Sequence, residues 1–249
     1  MKPETQRSRA TTRTPRPLHA LVDDGSIRLR YAVGTGDTLI VSFSSIGRRR
    51  AELPPDEFLG SILRTPKWHG LFVSDVNRSW MGDAALCDTL SETLAILRKD
   101  HAITRVITIG LSMGAFSALV ASALFPVDAA VAISPQFSMM PKHIPGETRW
   151  RYWRKRLAPP RFETAEVASA ATRSYAFHGL QDDLKHMQAF TPRQGLDQFA
   201  FADQSHSSLG RHLRDQGALT AMIQAAAEGD RRAMARLVKS CGGGWRGAL

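Results

Sequence analysis

Residues 107–120 read ITIGLSMGAFSALV, and the fold turns on how this stretch is interpreted. The β-branched run from Arg105 to Ile109 predicts a strand, and the small and apolar residues from Ala115 to Phe125 predict a helix. Between them stands Gly110-Leu111-Ser112-Met113-Gly114, a G-x-S-x-G pattern. With glycine and serine each near roughly 7% of residues, chance yields about 0.1 such matches in a chain of this length, so context has to decide. The context is a serine on a sharp strand-to-helix turn. Flanking glycines avoid side-chain clashes there, and the helix N-terminus favours developing negative charge. The alternative is an ordinary glycine-rich turn without chemistry.

A serine hydroxyl is a poor nucleophile at neutral pH, so a base must take its proton and an acid must orient that base. On a strand-turn-helix scaffold the order along the chain is serine, then Asp or Glu, then histidine. This chain supplies that order. A strand predicted over Ser174 to Phe177 runs into His178-Gly179-Leu180-Gln181-Asp182-Asp183, which places Asp182 in the strand-end loop where an orienting carboxylate is needed. Asp183 is its rival, one residue on and positioned to cap the next helix. The preceding predicted strand, Val127 to Ile133, has no acid close behind it, the first being Glu147. His206 is the favoured base, because it lies in the polar loop Asp203-Gln204-Ser205-His206-Ser207-Ser208 between the last long strand and the C-terminal helices. His178, His186 and His212 fall at a strand end, on a helix flank and inside a helix, where structural or surface roles are expected.

Outward from this core, apolar runs alternate with helical patterns. Ile27 to Val33 and Thr38 to Phe43 read as strands joined in a hairpin by Gly34-Thr35-Gly36-Asp37, and Leu71 to Val73 is a short strand. Asp83 caps a helix whose Leu86, Leu90, Leu94 and Leu97 share one face. Later come a short helix at Leu184 to Phe190, a strand at Leu196 to Phe201 and helices from Leu209 onward. This alternation predicts an α/β fold with a mostly parallel sheet covered on both faces. Residues 135–173 break the rhythm with five prolines and the aromatic-basic run RWRYWRKR, and read as an insertion over the sheet edge. The expected organisation is a flexible basic arm over 1–26, one domain over 27–240 and a flexible tail over 241–249.

With GLSMGAFSA at 110–118, HGLQDD at 178–183 and the His206 loop in place, the chain resembles the serine-nucleophile type of the α/β-hydrolase superfamily over about residues 27–226. The resemblance implies Ser112 as nucleophile, Asp182 as orienting acid and His206 as general base and then general acid. It also implies that the insertion over 135–173 is lid-like. An oxyanion hole would come from the Met113 backbone N–H and a second N–H in Ser42-Phe43-Ser44-Ser45-Ile46-Gly47, where Ser44 is the expected donor. The His-Gly-Gly-Gly signature that many members carry at this loop is absent. The activity implied is that of an esterase, thioesterase or acyltransferase working through an acyl-enzyme, with no cofactor and no metal.

Composition bounds the rest. In 249 residues, 43% are hydrophobic and 22% charged, enough to bury a sizeable core. Two cysteines, Cys87 and Cys241, favour a reducing compartment, so a cytoplasmic location is expected. No apolar run approaches the roughly 20 residues of a membrane helix, and the N-terminal residues lack the apolar core of a secretory signal. The net charge of +10 is unevenly spread: residues 1–17, 48–50, 149–161 and 228–249 together hold +16, leaving −6 on everything else. Interleaved with its bases, the third stretch carries Trp150, Tyr152 and Trp153, which suit a cap over an anionic substrate, a lipid surface, stacking on nucleic acid or simple packing on the body. Asp75 and Trp80, beyond a strand's carboxyl end, either line the pocket or serve as a turn residue and a packing residue. The expected partner is a small acyl substrate, anionic or an acylated sugar. Nucleic acid is not expected, and peripheral membrane contact stays open, as does oligomeric state. The competing reading is an inactive hydrolase-like protein that binds an anionic partner through its basic patches.

Overall fold

Every apolar run named above becomes a strand of one twisted sheet. The computed structural model describes residues 16–248, so the expectation for residues 1–15 of the arm lies outside the described residues. The strands are β1 (His19–Asp23), β2 (Ile27–Ala32), β3 (Thr38–Phe43), β4 (Trp68–Asp75), β5 (Arg105–Leu111), β6 (Ala129–Ile133), β7 (Arg173–Gly179), β8 (Leu196–Phe201) and β9 (Gly244–Trp245). Their spatial order is β1-β2-β4-β3-β5-β6-β7-β8-β9. The run β4-β3-β5-β6-β7-β8 is parallel throughout, while β1, β2 and β9 pair antiparallel.

Helices cover both faces, as a buried parallel sheet requires. They are α1 (Leu59–Leu63), α2 (Ala84–Asp100), α3 (Met113–Val120), α4 (Arg151–Arg154), α5 (Leu184–Ala189), α6 (Leu209–Asp215), α7 (Leu219–Glu228) and α8 (Arg231–Ser240). One core joins α2 and α3 to the sheet and the other joins α1, α6, α7 and α8. The leucine stripe of α2 is buried as its spacing predicts, and Asp83 caps the helix by accepting the Leu86 backbone N–H. Among the described residues no helix is long and apolar enough to cross a membrane.

Four expectations need correction. The hairpin between β2 and β3 does not form, because β4 inserts between them. Leu39, Ile40 and Val41 of β3 are fully buried, and such a strand needs a neighbour on each side. The glycines of the supposed turn instead admit β4: a Cβ on Gly34 would lie 2.4 Å from the Trp68 carbonyl carbon, and Gly36 N–H donates to Lys67 O. The arm becomes ordered before residue 26, since β1 pairs with β2 and the Arg16 guanidinium donates to Val33 O and Trp68 O. The tail is also ordered: β9 pairs with β8, and Trp245 packs on Phe199 at 4.6 Å between ring centroids. Finally, the insertion contributes to the body rather than covering it as a lid. Phe137, Met139, Ile144, Trp150, Ala165 and Ala168 all belong to the main core.

The loop from β3 to α1 is fastened at several points, which fixes one wall of the future site. Ser42 Oγ donates to Glu57 O (2.8 Å), Ser74 Oγ donates to Pro54 O (3.2 Å), and the fully buried Asp56 carboxylate accepts from Arg28 and Arg30 of β2. Ser45 Oγ donates to Glu57, whose carboxyl is pushed up to about 7 by burial despite that bond. A folded-state value above the unfolded 4.5 means the native state holds more protons between these limits. Stability from this group is therefore full at low pH and is lost as pH rises through about 7. Glu57→Gln removes the titration and should raise stability relative to the parent by up to about 3 kcal/mol at pH 8, with little gain at pH 5. Thermal melts of both proteins at the two pH values check this, and an equal difference at both would refute it.

Candidate active site

The strand β5 ends at Leu111 and α3 begins at Met113, so the chain must reverse at Ser112 alone. Ser112 adopts φ 57° and ψ −116°, a strained conformation for a residue with a side chain. The two flanking glycines make it feasible. A Cβ on Gly110 would lie 2.1 Å from the Gly114 carbonyl carbon, and one on Gly114 would lie 2.3 Å from Phe43 O. The turn leaves Ser112 Oγ at the wall of a cleft of about 1250 Å³ that is also lined by Ser45, Trp150 and His206.

His206 reaches this oxygen from the loop between β8 and α6, with Nε2 2.8 Å from Ser112 Oγ. Its Nδ1 lies 2.8 and 3.0 Å from the two carboxylate oxygens of Asp183. A carboxylate only accepts, so Nδ1 carries the proton and Nε2 is left to accept from Ser112. The expected acid, Asp182, is not the residue beside the ring. Its side chain is 45% exposed and accepts the His206 backbone N–H, which fixes the loop rather than the imidazole. The shift by one residue has a local cause: β7 continues to Gly179 instead of stopping at Phe177. Asp183 N–H then donates to Gly179 O, and Asp183 turns inward at the start of α5.

Asp183 is completely buried, a costly state for an unpaired carboxylate. Burial pushes its carboxyl up, but the hydrogen bond and charge of His206 and the Arg149 guanidinium hold it below the usual carboxylate range. Arg149 Nη1 donates to Asp183 at 2.8 Å, and the same guanidinium grips Glu147 through Nε and Nη2. His186 takes the Phe137 backbone N–H on Nδ1 and therefore donates from Nε2 to Glu147 (2.8 Å). Burial opposes ionisation of Glu147, yet the bonds from His186 and Arg149 hold its carboxyl down at about 2. Trp150 is 2% exposed and meets both His186 and His206 edge-on, at 5.8 and 5.5 Å between centroids.

A further polar group reaches the serine. Gln136 Nε2 lies 3.1 Å from Ser112 Oγ, and Gln136 Oε1 accepts the Trp80 indole N–H. Indole only donates, so this contact fixes the orientation of the amide and makes Gln136 the donor toward Ser112. Both partners sit on strained backbone: Arg78, Trp80 and Met81 have φ of 51°, 54° and 58°, and Ser134, two residues before Gln136, has φ 48°. Asp75 does not line the cleft. It accepts from Ser79 N–H and Oγ, bracing the strained loop.

The oxyanion loop differs from expectation. Met113 opens α3, so its N–H has no acceptor within the helix. Ser44 N–H is already spent on Val73 O (3.0 Å), the next bond of the parallel pairing between β3 and β4. Ser45, the next residue, lines the cleft. Of the remaining histidines, His178 is fully buried and pushed down to about 3 by that burial, and His212 meets Cys241 O at 2.7 Å, so neither approaches Ser112. Sequence reasoning passed over Gln136, Glu147 and Arg149 as parts of the site. Glu147 and Arg149 were visible as an acid and a base two residues apart, but nothing local said that they face Asp183.

No protein-family model matches the sequence, and no curated protein matches it. Solved structures do match the fold. The 2,6-dihydroxy-pseudo-oxynicotine hydrolase is 17% identical with a TM-score of 0.59, covering 86% of this chain and 68% of that one. The capsule O-acetyltransferase of Neisseria meningitidis serogroup A is 13% identical with a TM-score of 0.59, covering 86% and 97%. A Pyrococcus furiosus esterase is 14% identical with a TM-score of 0.55, covering 84% and 91%. By strand order, by the turn at Ser112 and by these neighbours, the chain is an α/β-hydrolase in fold.

Proposed function

We propose that the protein is a serine hydrolase that cleaves an ester or thioester through an acyl-enzyme on Ser112. The observation that carries this reading is the continuous relay from Ser112 Oγ to His206 to Asp183, with a 2.8 Å step on either side of the imidazole. Ser112 Oγ bonds to the carbonyl carbon as its proton passes to His206 Nε2. The Met113 and Ser45 N–H groups receive the oxyanion, with Ser45 taking the place expected of Ser44. The bond to the leaving oxygen or sulfur then breaks, and that atom takes the proton from His206. Water, or an acceptor alcohol, next gives its proton to His206 and attacks the acyl carbon; the bond to Ser112 Oγ then breaks, and Oγ takes that proton back from His206. His206 thus serves as general base and then general acid, and Asp183 is the carboxylate that orients it.

Arg149 and Glu147 act as positioning residues, since they hold the Asp183 carboxylate and do not approach the reacting carbon. Gln136 is a catalytic residue in this reading, because its N–H touches the oxygen that becomes negative during attack and again when the acyl group leaves. The neighbours described as an esterase, a hydrolase and a capsule O-acetyltransferase support ester chemistry. An O-acyl ester, or acyl transfer to a hydroxyl acceptor, is the substrate class this chemistry takes.

A fluorophosphonate probe should label the protein and fail to label Ser112→Ala; an unlabelled, folded parent would end this reading. Asp183→Asn should lower kcat by about 10³–10⁴, because the imidazole is left in the wrong tautomer. Asp182→Asn keeps an oxygen that accepts the His206 backbone N–H and removes only the charge, so it should cost no more than about tenfold. Equal losses in steady-state assays of the two variants would reassign the acid. Gln136→Leu should slow both probe labelling and ester turnover by about tenfold, the worth of one neutral hydrogen bond, while KM stays nearly constant. Trp80→Phe keeps the ring and frees the amide, so it should show a smaller loss in the same assay. An unchanged labelling rate in Gln136→Leu would make the amide a bystander.

A further inference from the structure

The cleft beside Ser112 is lined by six arginines, Arg48, Arg49, Arg64, Arg149, Arg211 and Arg214, against two acids, Glu52 and Glu57. Three of the six, Arg64, Arg211 and Arg214, come from the part of the chain outside the four basic stretches, which is acidic overall at −6. Partners account for part of it. Arg49 pairs with Glu52, Arg149 with Glu147 and Asp183, and Arg214 with its neighbour Asp215. Glu57 sits near about 7 through burial, so at neutral pH it supplies only part of a negative charge. Arg48 and Arg211 have no acidic partner within 4 Å among the described residues, and both face the cleft. A cleft that holds uncompensated guanidinium groups between low-dielectric walls attracts anions.

The chain path decides which part of the substrate carries the charge. His206 must reach the leaving oxygen to protonate it, so the alcohol portion lies on the His206 side of the acyl carbon. From His206 the chain passes through Ser207 and Ser208 directly into α6. Residues 210, 211, 214 and 217 line the cleft, so the face of α6 that carries Arg211 and Arg214 turns toward that side. Arg64, at the end of α1, lines the same cleft, and Thr220 of α7 ties to Ser61 of α1 close by. The volume of about 1250 Å³ far exceeds what a short acyl group fills and leaves room for a sugar-sized alcohol.

We propose that the substrate is an acyl ester of an anionic alcohol, whose carboxylate or phosphate is held by Arg211 and Arg48 while the acyl carbon lies at Ser112. This inference rests on the serine hydrolase reading above and adds the charge and its side. The guanidinium fork matches the oxygen pair of either anion, and both arginines are solvent-accessible, so binding depends on ionic strength.

The test compares 4-nitrophenyl acetate with 3-carboxy-4-nitrophenyl acetate, each rate normalised to its hydroxide-catalysed hydrolysis. The normalised kcat/KM ratio should favour the carboxylate ester by at least about fivefold at low salt and fall towards one at high salt. In the double variant Arg48→Gln/Arg211→Gln the ratio should collapse to near one. Running 4-acetoxyphenyl phosphate in parallel assigns the preferred anion by which ester shows the larger ratio. A ratio near one in the parent, or a ratio that survives in the double variant, would overturn the proposal. A second measurement reads the anion site without turnover: in Ser112→Ala, calorimetry should show 5-hydroxy-2-nitrobenzoate binding more tightly than 4-nitrophenol, and the double substitution should abolish that difference. If neither ester is hydrolysed but this binding preference holds, the reaction is wrong and the anion site stands. If the esters are hydrolysed with no preference in rate or binding, the reaction stands and the anion site falls.

Discussion

The buried carboxylate of Asp183 is the constraint on which the rest of the site depends. A fully buried negative charge survives only when its oxygens are met by donors and positive charge. Here His206 and Arg149 meet them, and each is held in turn. Arg149 is anchored by Glu147 of the insertion, which His186 of α5 holds in turn, and His206 is flanked by Trp150 and tied through its backbone to Asp182. The segment over 135–173 therefore acts as a buttress. It supplies the cation that keeps Asp183 ionised and the indole that bounds the imidazole ring, which explains why its aromatic-basic sequence packs into the body.

Strain concentrates around the nucleophile. Ser112, Ser134, Arg78, Trp80 and Met81 all hold positive φ without being glycine, and four of these five lie on the path that brings Trp80 and Gln136 to Ser112. Each such residue costs of order 1–3 kcal/mol, so the surrounding packing must over-determine them. It does so through buried contacts. Trp80 is enclosed in the main core, Asp75 accepts two bonds from Ser79, and Arg78 donates to Val76 O and to carbonyls of the loop between β3 and α1. The same loop carries Ser45 and Glu57, so the cleft wall they form and the wall that holds Gln136 are mechanically one unit.

Charge is divided between structure and cleft. The bases of 149–156 are largely consumed internally: Arg149 in the carboxylate network, Arg154 on the Met139 and Glu147 carbonyls, and Arg156 stacked on Tyr152 opposite Arg50. The positive charge left over belongs to side chains from α6 and from the loop after β3, which are remote in sequence and meet only across the cleft. A net charge read along the chain cannot separate these two uses, because arginine looks the same whether it braces a carboxylate or waits for an anion.

Local pattern was enough for β2 to β8, the α2 stripe, the turn at Ser112 and the histidine that stands beside it, since each depends on periodicity or on residues that are neighbours in sequence. Tertiary structure decided the rest. Strand β4 enters between β2 and β3 because a fully buried strand needs two neighbours, and sequence adjacency does not reveal which strand that is. Asp183 replaces Asp182 because β7 runs two residues further than its apolar run suggested, and a one-residue shift at a strand end turns a side chain from solvent to core. Ser44 cannot be the donor expected of it because its N–H is already spent on the neighbouring strand, and Ser45 lines the cleft one residue on. The amide of Gln136 and the guanidinium of Arg149 became part of the site only through contacts with residues 24 and 34 positions away, which no periodicity encodes. The sequence by itself determined that a serine, a carboxylate and a histidine stand in that order on an α/β scaffold; only packing in three dimensions decided which of two adjacent acids meets the imidazole.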